Sequence, residues 1–281
     1  MVFTDLFIDI ADFRKYADGL DADTSYHQIS ASIRSAGKEV MNIISQPVYA
    51  AVSSLDELSE GKRYLKAAVA NGALYRYQIF ASVKKNNTDA SLYKYQHEEI
   101  KEHHIAAYWL AMDDLLDWLD ENPDTGEYSS SDIYMERQSL PVKNAREFNR
   151  YYGIDNSSYF FSKVLFLIRS IWKNRIRPML PDGWEKNEDL SDLVKRSLCY
   201  QVIAEAVMKF DVTELPRSIR YDFNHEYTKG SQMQDREKLY ANLMADVGVW
   251  TDAIGSLVKA ESGATVMQHN PNEESNKFYI S

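Results

Sequence analysis

The side chains best suited to chemistry lie on one predicted helix, where histidines and glutamates cluster. The cluster consists of His97, Glu98, Glu99, Glu102, His103 and His104. Glu99 and His103 are four residues apart, so on a helix they share a face that could hold a metal ion. This spacing matches neither the His-Glu-x-x-His of zinc peptidases nor the Glu-x-x-His of di-iron bundles. We therefore interpret the stretch as a solvated polar face and predict no metal site.

Two further charged groups could act on a substrate or a phosphate. Asp113, Asp114 and Asp117 form a carboxylate cluster, but on a helix they spread over more than one face. That spread favours a solvated edge over an acid/base pair. The basic run from Lys173 to Arg177 could contact phosphate, although capping a helix or pairing with acids of a neighbouring subunit is the favoured interpretation.

The sequence contains neither a glycine-rich phosphate loop nor a Gly-x-Ser-x-Gly elbow. We therefore expect no catalytic residue, no cofactor and no enzymatic activity. Cys199 is the only cysteine, which excludes a disulfide within the chain. It falls on the apolar side of a predicted helix, where a buried structural thiol is expected.

The overall charge limits the classes of partner. The 281 residues include 42 acidic and 32 basic side chains, a net charge of −10. This excess of acidic residues argues against a protein that binds nucleic acid mainly through electrostatic contacts with phosphates. It is compatible with a protein whose acidic surface lets nucleic acid pass without binding. No apolar run approaches the ~20 residues of a membrane span, and the N-terminus carries acids where a signal peptide needs lysines. We expect a soluble protein made in a cytoplasm.

Apolar periodicity and capping residues predict a chain of helices with two less regular segments. The helices are expected near residues 9–19, 23–46, 56–83, 91–121, 143–152, 159–177, 189–210 and 232–259. Residues 124–142 are interpreted as a linker loop, with a small β-hairpin as an alternative. Residues 261–281 are polar and are predicted to form an extended C-terminal arm.

The sequence also contains a weak internal repeat: three blocks of similar residues occur in the same order in each half, and each block is called an echo below. In the first block, Tyr26, Ile29, Ile33-Arg34-Ser35 and Lys38 correspond to Phe161, Val164, Ile168-Arg169-Ser170 and Lys173, at an offset of 135. In the second, Leu65-Lys66, Val69 and Ala73-Leu74 correspond to Val194-Lys195, Leu198 and Val202-Ile203, at an offset of 129. In the third, Tyr108, Met112, Asp114-Leu115 and Trp118 correspond to Tyr240, Met244, Asp246-Val247 and Trp250, at an offset of 132. The pattern predicts two copies of one helical unit.

Four segments carry a resemblance to a known family. They are Phe13-Arg14-Lys15-Tyr16, Ala73-Leu74-Tyr75-Arg76-Tyr77, the helix end from Leu115 to Asn122, and Phe148 with Tyr152. Across residues 5–258 the chain resembles the helical head–tail connector (head-completion or adaptor) proteins of tailed phages. More specifically, it is similar to a family of roughly this length from phages and prophages of Bacteroides-like bacteria. A single connector domain is about half as long, which agrees with two tandem units.

The resemblance implies a mainly α-helical structural virion protein. Its two connector-like units would be residues 1–123 and 143–260, joined by the linker at 124–142 and followed by the arm at 261–281. About twelve copies would form a ring at the phage neck, between the portal protein and the tail or stopper proteins. DNA would pass through without sequence-specific binding, and no cofactor or membrane is implied. Phe278, Tyr279 and Ile280 would bind a partner, adding an edge strand.

Two other interpretations remain open. With 19 Tyr, 11 Phe and 5 Trp, the chain could be a cytoplasmic all-helical protein-binding or regulatory module that uses an aromatic surface. It could also be an enzyme built on a helical bundle, with Glu99 and His103 at a metal. In neither case would it be part of a virion.

Overall fold

A computed structural model describes residues 6–20, 22–85, 93–220 and 229–266, with side chains over 6–20, 22–77, 103–220 and 233–260. Helices and short turns make up these residues, and no β-strand occurs among them. The predicted mainly α-helical fold is therefore confirmed. Phe278, Tyr279 and Ile280 lie outside the described residues, as does the rest of 267–281. The first residues of the predicted arm, 261–266, are not extended, because they continue the last helix.

Among the described residues an α-helix occurs at each of the eight predicted positions, and three further short helices, at Gln46–Ser53, Asp132–Gln138 and Arg217–Arg220, were not predicted. In chain order the described α-helices are α1 (Ile10–Arg14), α2 (Tyr26–Ile44), α3 (Gln46–Ser53), α4 (Glu60–Lys85), α5 (Tyr93–Glu121), α6 (Asp132–Gln138), α7 (Ala145–Tyr151), α8 (Ser158–Ile171), α9 (Glu188–Lys209), α10 (Arg217–Arg220) and α11 (Lys229–Val266). A π-helical turn, Trp172–Ile176, extends α8. Short 3₁₀ turns occur at Thr125–Ser130, Arg177–Met179, Trp184–Lys186 and Val212–Glu214.

Local signals explain most of the helix ends. Asp9 caps α1 by accepting a hydrogen bond from the Asp12 amide at 2.8 Å. The cap of α2 is Ser25, in a reciprocal capping box with Gln28. Pro47 marks the end of α2 as predicted, and it also lies in the first turn of α3, where its missing N–H costs nothing.

The chain divides into two compact units. The first contains Met1–Leu165 and Asp211–His225, and the second contains Phe166–Phe210 and Glu226–Ser281. This division differs from the domain boundaries expected from the sequence, which are 1–123, 124–142, 143–260 and 261–281. Those boundaries stay a prediction.

The hairpin alternative for residues 124–142 is wrong, because this segment is helical and packed. It contains the 3₁₀ turn Thr125–Ser130 followed by α6. Gly126 has a φ of +58°, and a Cβ at this position would lie 2.7 Å from the Cβ of Ala51 on α3. A glycine is needed for both the left-handed backbone and the close approach. Tyr128 beside it is buried.

The core of the first unit is formed by α2, α4 and α5. Its fully buried side chains include Ile29 and Ile33 on α2, Leu65 and Val69 on α4, and Met112, Leu115 and Leu119 on α5. Small residues bring α4 and α5 together. A Cβ on Gly61 would lie 2.5 Å from the Trp118 ring, and one on Gly72 would lie 3.0 Å from the Tyr108 ring.

A buried lysine ties α1 to α4 inside the first unit. The ammonium group of Lys66, whose side chain is 1 % exposed, lies 2.9 Å from Asp12 and 2.6 Å from Glu57. It also lies 5.5 Å from the centre of the Tyr16 ring and 5.9 Å from that of Phe7. Burial opposes the charge, but the hydrogen bonds that Lys66 donates to the two carboxylates, together with their negative charge, outweigh it and hold the pKa of Lys66 above its ordinary value.

In the second unit, α9 packs against α11. Leu198, Cys199 and Val202 of α9 are fully buried, which confirms the predicted buried thiol. The rings of Tyr200 and Trp250 meet edge to face at 4.5 Å. Arg236 at the start of α11 donates hydrogen bonds to the carbonyls of residues 207 and 210, where α9 ends.

We predict that Lys66→Met lowers the free energy of unfolding by roughly 3–5 kcal/mol, because it leaves the buried Asp12 carboxylate without its main partner. The matched control is Lys15→Met. Lys15 contacts the same carboxylate at 3.4 Å, but its side chain is 68 % exposed, so less than about 1 kcal/mol is expected. Urea unfolding measures both variants, and equal losses would contradict the role given to Lys66.

Candidate functional site

A cavity of about 300 Å³ opens in the first unit where α2, α4, α5, α8 and the 3₁₀ turn Val212–Glu214 meet. Four aromatic side chains line it: Tyr75, Tyr108, Trp109 and Tyr159. The Tyr159 ring meets the Trp109 ring edge to face at 5.1 Å and the Tyr108 ring at 5.4 Å. The walls therefore present large and mutually fixed ring surfaces.

Glu39 of α2 connects its own helix to the other three helices that line the cavity. Its carboxylate pairs with Arg76 of α4. It accepts hydrogen bonds from the Tyr108 hydroxyl at 2.9 Å and from the Tyr159 hydroxyl at 3.3 Å. Arg76 lies 5.9 Å from the centre of the Tyr108 ring. Burial raises the pKa of both tyrosines, so their hydroxyls stay protonated and serve as donors.

The lining of the cavity contains a second ion pair. Lys163 of α8 lies 2.7 Å from Glu214 and 5.6 Å from the centre of the Tyr159 ring. Asp211 caps the 3₁₀ turn by accepting hydrogen bonds from the amide and hydroxyl of Thr213. Burial raises the pKa of Tyr75, and the negative charges of Asp211 and Glu214 raise it further.

Two aspartates of α5 position the start of α8 beside the cavity. Asp113 accepts hydrogen bonds from the Ser157 hydroxyl at 2.9 Å and from the Tyr159 amide at 2.7 Å. Asp117, one turn later, accepts from the Ser158 hydroxyl at 2.5 Å. Carboxylates stabilise the positive end of a helix dipole. The expectation that these aspartates lie on a solvated edge holds only for Asp114, which is exposed.

The histidine cluster contains no described metal site. His103 is exposed, His104 is buried beside Gly19, and the Glu99 side chain lies outside the described residues. Burial and the neighbouring His103 lower the pKa of His104 and favour its neutral form. In the described part of the chain, no group of three or more histidine, cysteine, aspartate or glutamate side chains could hold a metal ion.

The basic run lies mostly on the π-helical turn, and two of its cations pair within the second unit. Arg175 lies 2.8 Å from Glu205, and Arg177 lies 2.8 Å from Asp182. Lys173 is exposed. Pairing of this run with acids of a neighbouring subunit stays a prediction.

Large apolar side chains also remain exposed on both units. They are Ile8, Leu58, Leu110 and Met135 in the first, and Phe166, Met179, Met233 and Val249 in the second. Among the described residues, no helix is both long and apolar enough to cross a bilayer.

The sequence alone does not reveal the cavity. Its lining comes from segments as far apart as Glu39 and Glu214, and none of them forms a catalytic motif. The nearest signal was the Ala73–Tyr77 segment, which contains Tyr75 and Arg76. Comparison with known proteins adds no further assignment, because no family model, curated protein or solved structure matches the chain.

We predict that Asp113 makes the stability of the first unit depend on pH. Burial raises the pKa of Asp113 from 3.8 to about 6, despite the hydrogen bonds from Tyr159 and Ser157 that lower it. Between these values the folded chain keeps a proton that the unfolded chain has lost. Stability therefore falls as pH rises through this window, by about 1.4 kcal/mol for each unit of the shift.

Unfolding free energies of the native chain and Asp113→Asn, measured from pH 4 to pH 7, test this. The amide keeps an acceptor for the Tyr159 N–H but does not titrate. As pH rises to about 6, the free energy of unfolding of the native chain should fall relative to that of the variant. Above that pH the difference between the two should stay constant. A constant difference between the native chain and Asp113→Asn would contradict the prediction.

Proposed function

We propose that this chain is a structural protein of the phage neck. Its copies form a ring between portal and tail, extend the DNA channel and provide the docking surface for tail or stopper proteins. The ring is closed by one interface repeated head to tail, as cyclic symmetry requires. The chain is made in the cytoplasm of the bacterial host and acts in the virion.

The observation that carries this proposal is a packed pair of helices that occurs once in each unit, with similar residues at corresponding positions of the two pairs. The second echo lies on α4 and α9, and the third lies on α5 and α11, which pack against α4 and α9 respectively. Leu65 and Val69 on α4 are fully buried, as are Val194 and Leu198 at the corresponding positions of α9. A repeated packing unit suits a protein that assembles.

The exposed side chains also favour a role in protein contacts. Leu58 is 85 % exposed, Leu110 64 % and Val249 66 %, and large exposed apolar side chains are candidates for burial against partners. The net charge of −10 would keep DNA from adhering to a channel wall. The same exposed residues favour the second candidate, a cytoplasmic all-helical protein-binding or regulatory module.

Quantitative mass spectrometry of purified particles separates the two candidates. We predict a fixed stoichiometry of about a dozen copies per particle, equal to the order of a closed ring. The major capsid and portal proteins of the same particles serve as internal references. Absence of the chain from particles would discard the neck assignment and leave the helical binding module as the leading candidate.

The C-terminal arm provides a second test. We predict that deleting residues 262–281 blocks incorporation into particles, because Phe278, Tyr279 and Ile280 would add an edge strand to a neighbour or to the portal. The matched control keeps the arm and replaces only these three residues with serine. Normal incorporation of the deletion variant would exclude the arm as a docking element. A defect in the deletion but not in the serine variant would assign docking to another part of the arm.

A further inference from the structure

The sequence contains three pairs in which glycine directly follows aspartate or asparagine: Asp18-Gly19, Asn71-Gly72 and Asp182-Gly183. In such a pair the backbone nitrogen of the glycine can attack the side-chain carbonyl carbon of the residue before it and close a succinimide ring. Glycine favours this attack because it has no Cβ to block the approach and its backbone adjusts freely. In an unfolded chain Asn71 would react fastest, since ammonia leaves an amide more readily than water leaves a carboxyl group.

The fold protects Asn71, the residue of the three that is intrinsically the most reactive. Asn71 and Gly72 lie within α4, and Asn71 is only 9 % exposed. Its side-chain amide donates hydrogen bonds to the carbonyl oxygens of Tyr16 and Ala67, both at 2.9 Å. The backbone N–H of Gly72 belongs to the hydrogen-bond pattern of the helix. Reaction at Asn71 therefore requires local opening of α4.

An ion pair restrains the pair Asp182-Gly183. The guanidinium group of Arg177 donates a hydrogen bond to the carboxylate of Asp182 at 2.8 Å. The carboxylate must leave Arg177 before its carbon can meet the nitrogen of Gly183. Because the Asp182 side chain is 98 % exposed, this restraint is weaker than the one on Asn71.

The pair Asp18-Gly19 has neither kind of protection. Both residues are exposed and lie between α1 and α2, outside any helix. Within the part of the chain that the structure describes, no hydrogen bond or ion pair restrains the Asp18 carboxylate. Gly19 has a φ of +90°, in a region that residues with a Cβ rarely adopt. The Asp18 carboxylate can therefore turn toward the Gly19 nitrogen without first breaking a contact.

We propose that Asp18-Gly19 is a self-modification site, at which the folded chain forms a succinimide and then isoaspartate in preference to its two other pairs. A bond forms between the Gly19 backbone nitrogen and Cγ of Asp18, and the hydroxyl of the protonated carboxyl group leaves with the amide proton as water. Water then opens the ring. Cleavage of the bond from the nitrogen to Cγ restores aspartate. Cleavage of the bond from the nitrogen to the backbone carbonyl carbon of Asp18 gives isoaspartate, whose main chain is longer by one methylene group.

This modification is independent of the neck assignment, because the reaction needs only the chain and water. Its product lengthens the connection between α1 and α2 at a closely packed point. A Cβ built on Gly19 would lie 3.2 Å from the ring of His104 on α5. The main chain is therefore altered beside a buried side chain of the first unit.

Incubation of the folded full-length chain in water enriched in heavy oxygen tests the proposal, because each passage through the ring leaves one heavy oxygen atom in the residue. After return to ordinary water, trypsin places the three pairs in separate peptides, which are residues 16–34, 67–76 and 176–186. Fragmentation mass spectrometry then locates the label and identifies isoaspartate. We expect label at Asp18 to appear at least about tenfold faster than at Asn71, because reaction at Asn71 waits for a packed helix to open. In guanidinium chloride the order of these two residues should reverse.

Two variants complete the test. Asp18→Glu keeps the charge but would have to close a larger and less favourable ring, so label at this position should fall to background. Gly19→Ala is unsuitable, because the positive φ and the nearby His104 ring would strain it. Arg177→Gln should raise labelling at Asp182 about two- to fivefold, the effect of an exposed ion pair, and leave labelling at Asp18 unchanged. Labelling of Asp18 no faster than that of Asn71 or Asp182 in the folded chain would overturn the proposal, as would label that persists in Asp18→Glu.

Discussion

The charge on Lys66 constrains how the first unit is built. An ammonium group at 1 % exposure is stable only if carboxylates and ring faces replace the lost water, and Asp12, Glu57, Phe7 and Tyr16 supply them. These residues come from the N-terminal segment and from the turn before α4. One buried cation therefore holds α1 against α4, and α4 in turn packs against α2 and α5 around the fully buried core. Lys195, at the corresponding position of α9, is only partly buried.

The cavity depends on a second layer of polar contacts built on that core. Asp113 and Asp117 of α5 position the start of α8, which places Tyr159 and Lys163 at the cavity wall. Glu39 then joins α2 to α4, α5 and α8 through Arg76 and two tyrosine hydroxyls. Because the Glu39 carboxylate contacts Arg76 and both tyrosine hydroxyls at once, the positions of the four helices that line the cavity depend on one another. Such coupling favours a preformed site over one that must rearrange to bind.

Local patterns predicted the helices well because helix formation depends on nearby residues. Asp9 and Pro47 act within one turn of the ends they mark, and the apolar spacing of α2 follows from its packed face. The helix α6 was missed because it buries none of its residues and so carries no apolar period. The role of Asp113 was missed because its partners, Ser157 and Tyr159, are more than forty residues away. The cavity was missed for the same reason, since only tertiary packing brings its five segments together.

The most direct test of the assembly proposal is a cryo-electron microscopy reconstruction of the neck in purified particles. Its 38 residues make α11 a rod of about 57 Å at 1.5 Å per residue. The proposal predicts a rotationally symmetric ring below the portal, with one such rod and one first-unit helical core in every subunit. A neck whose density is fully accounted for by other chains, without a helical rod of this length, would contradict it.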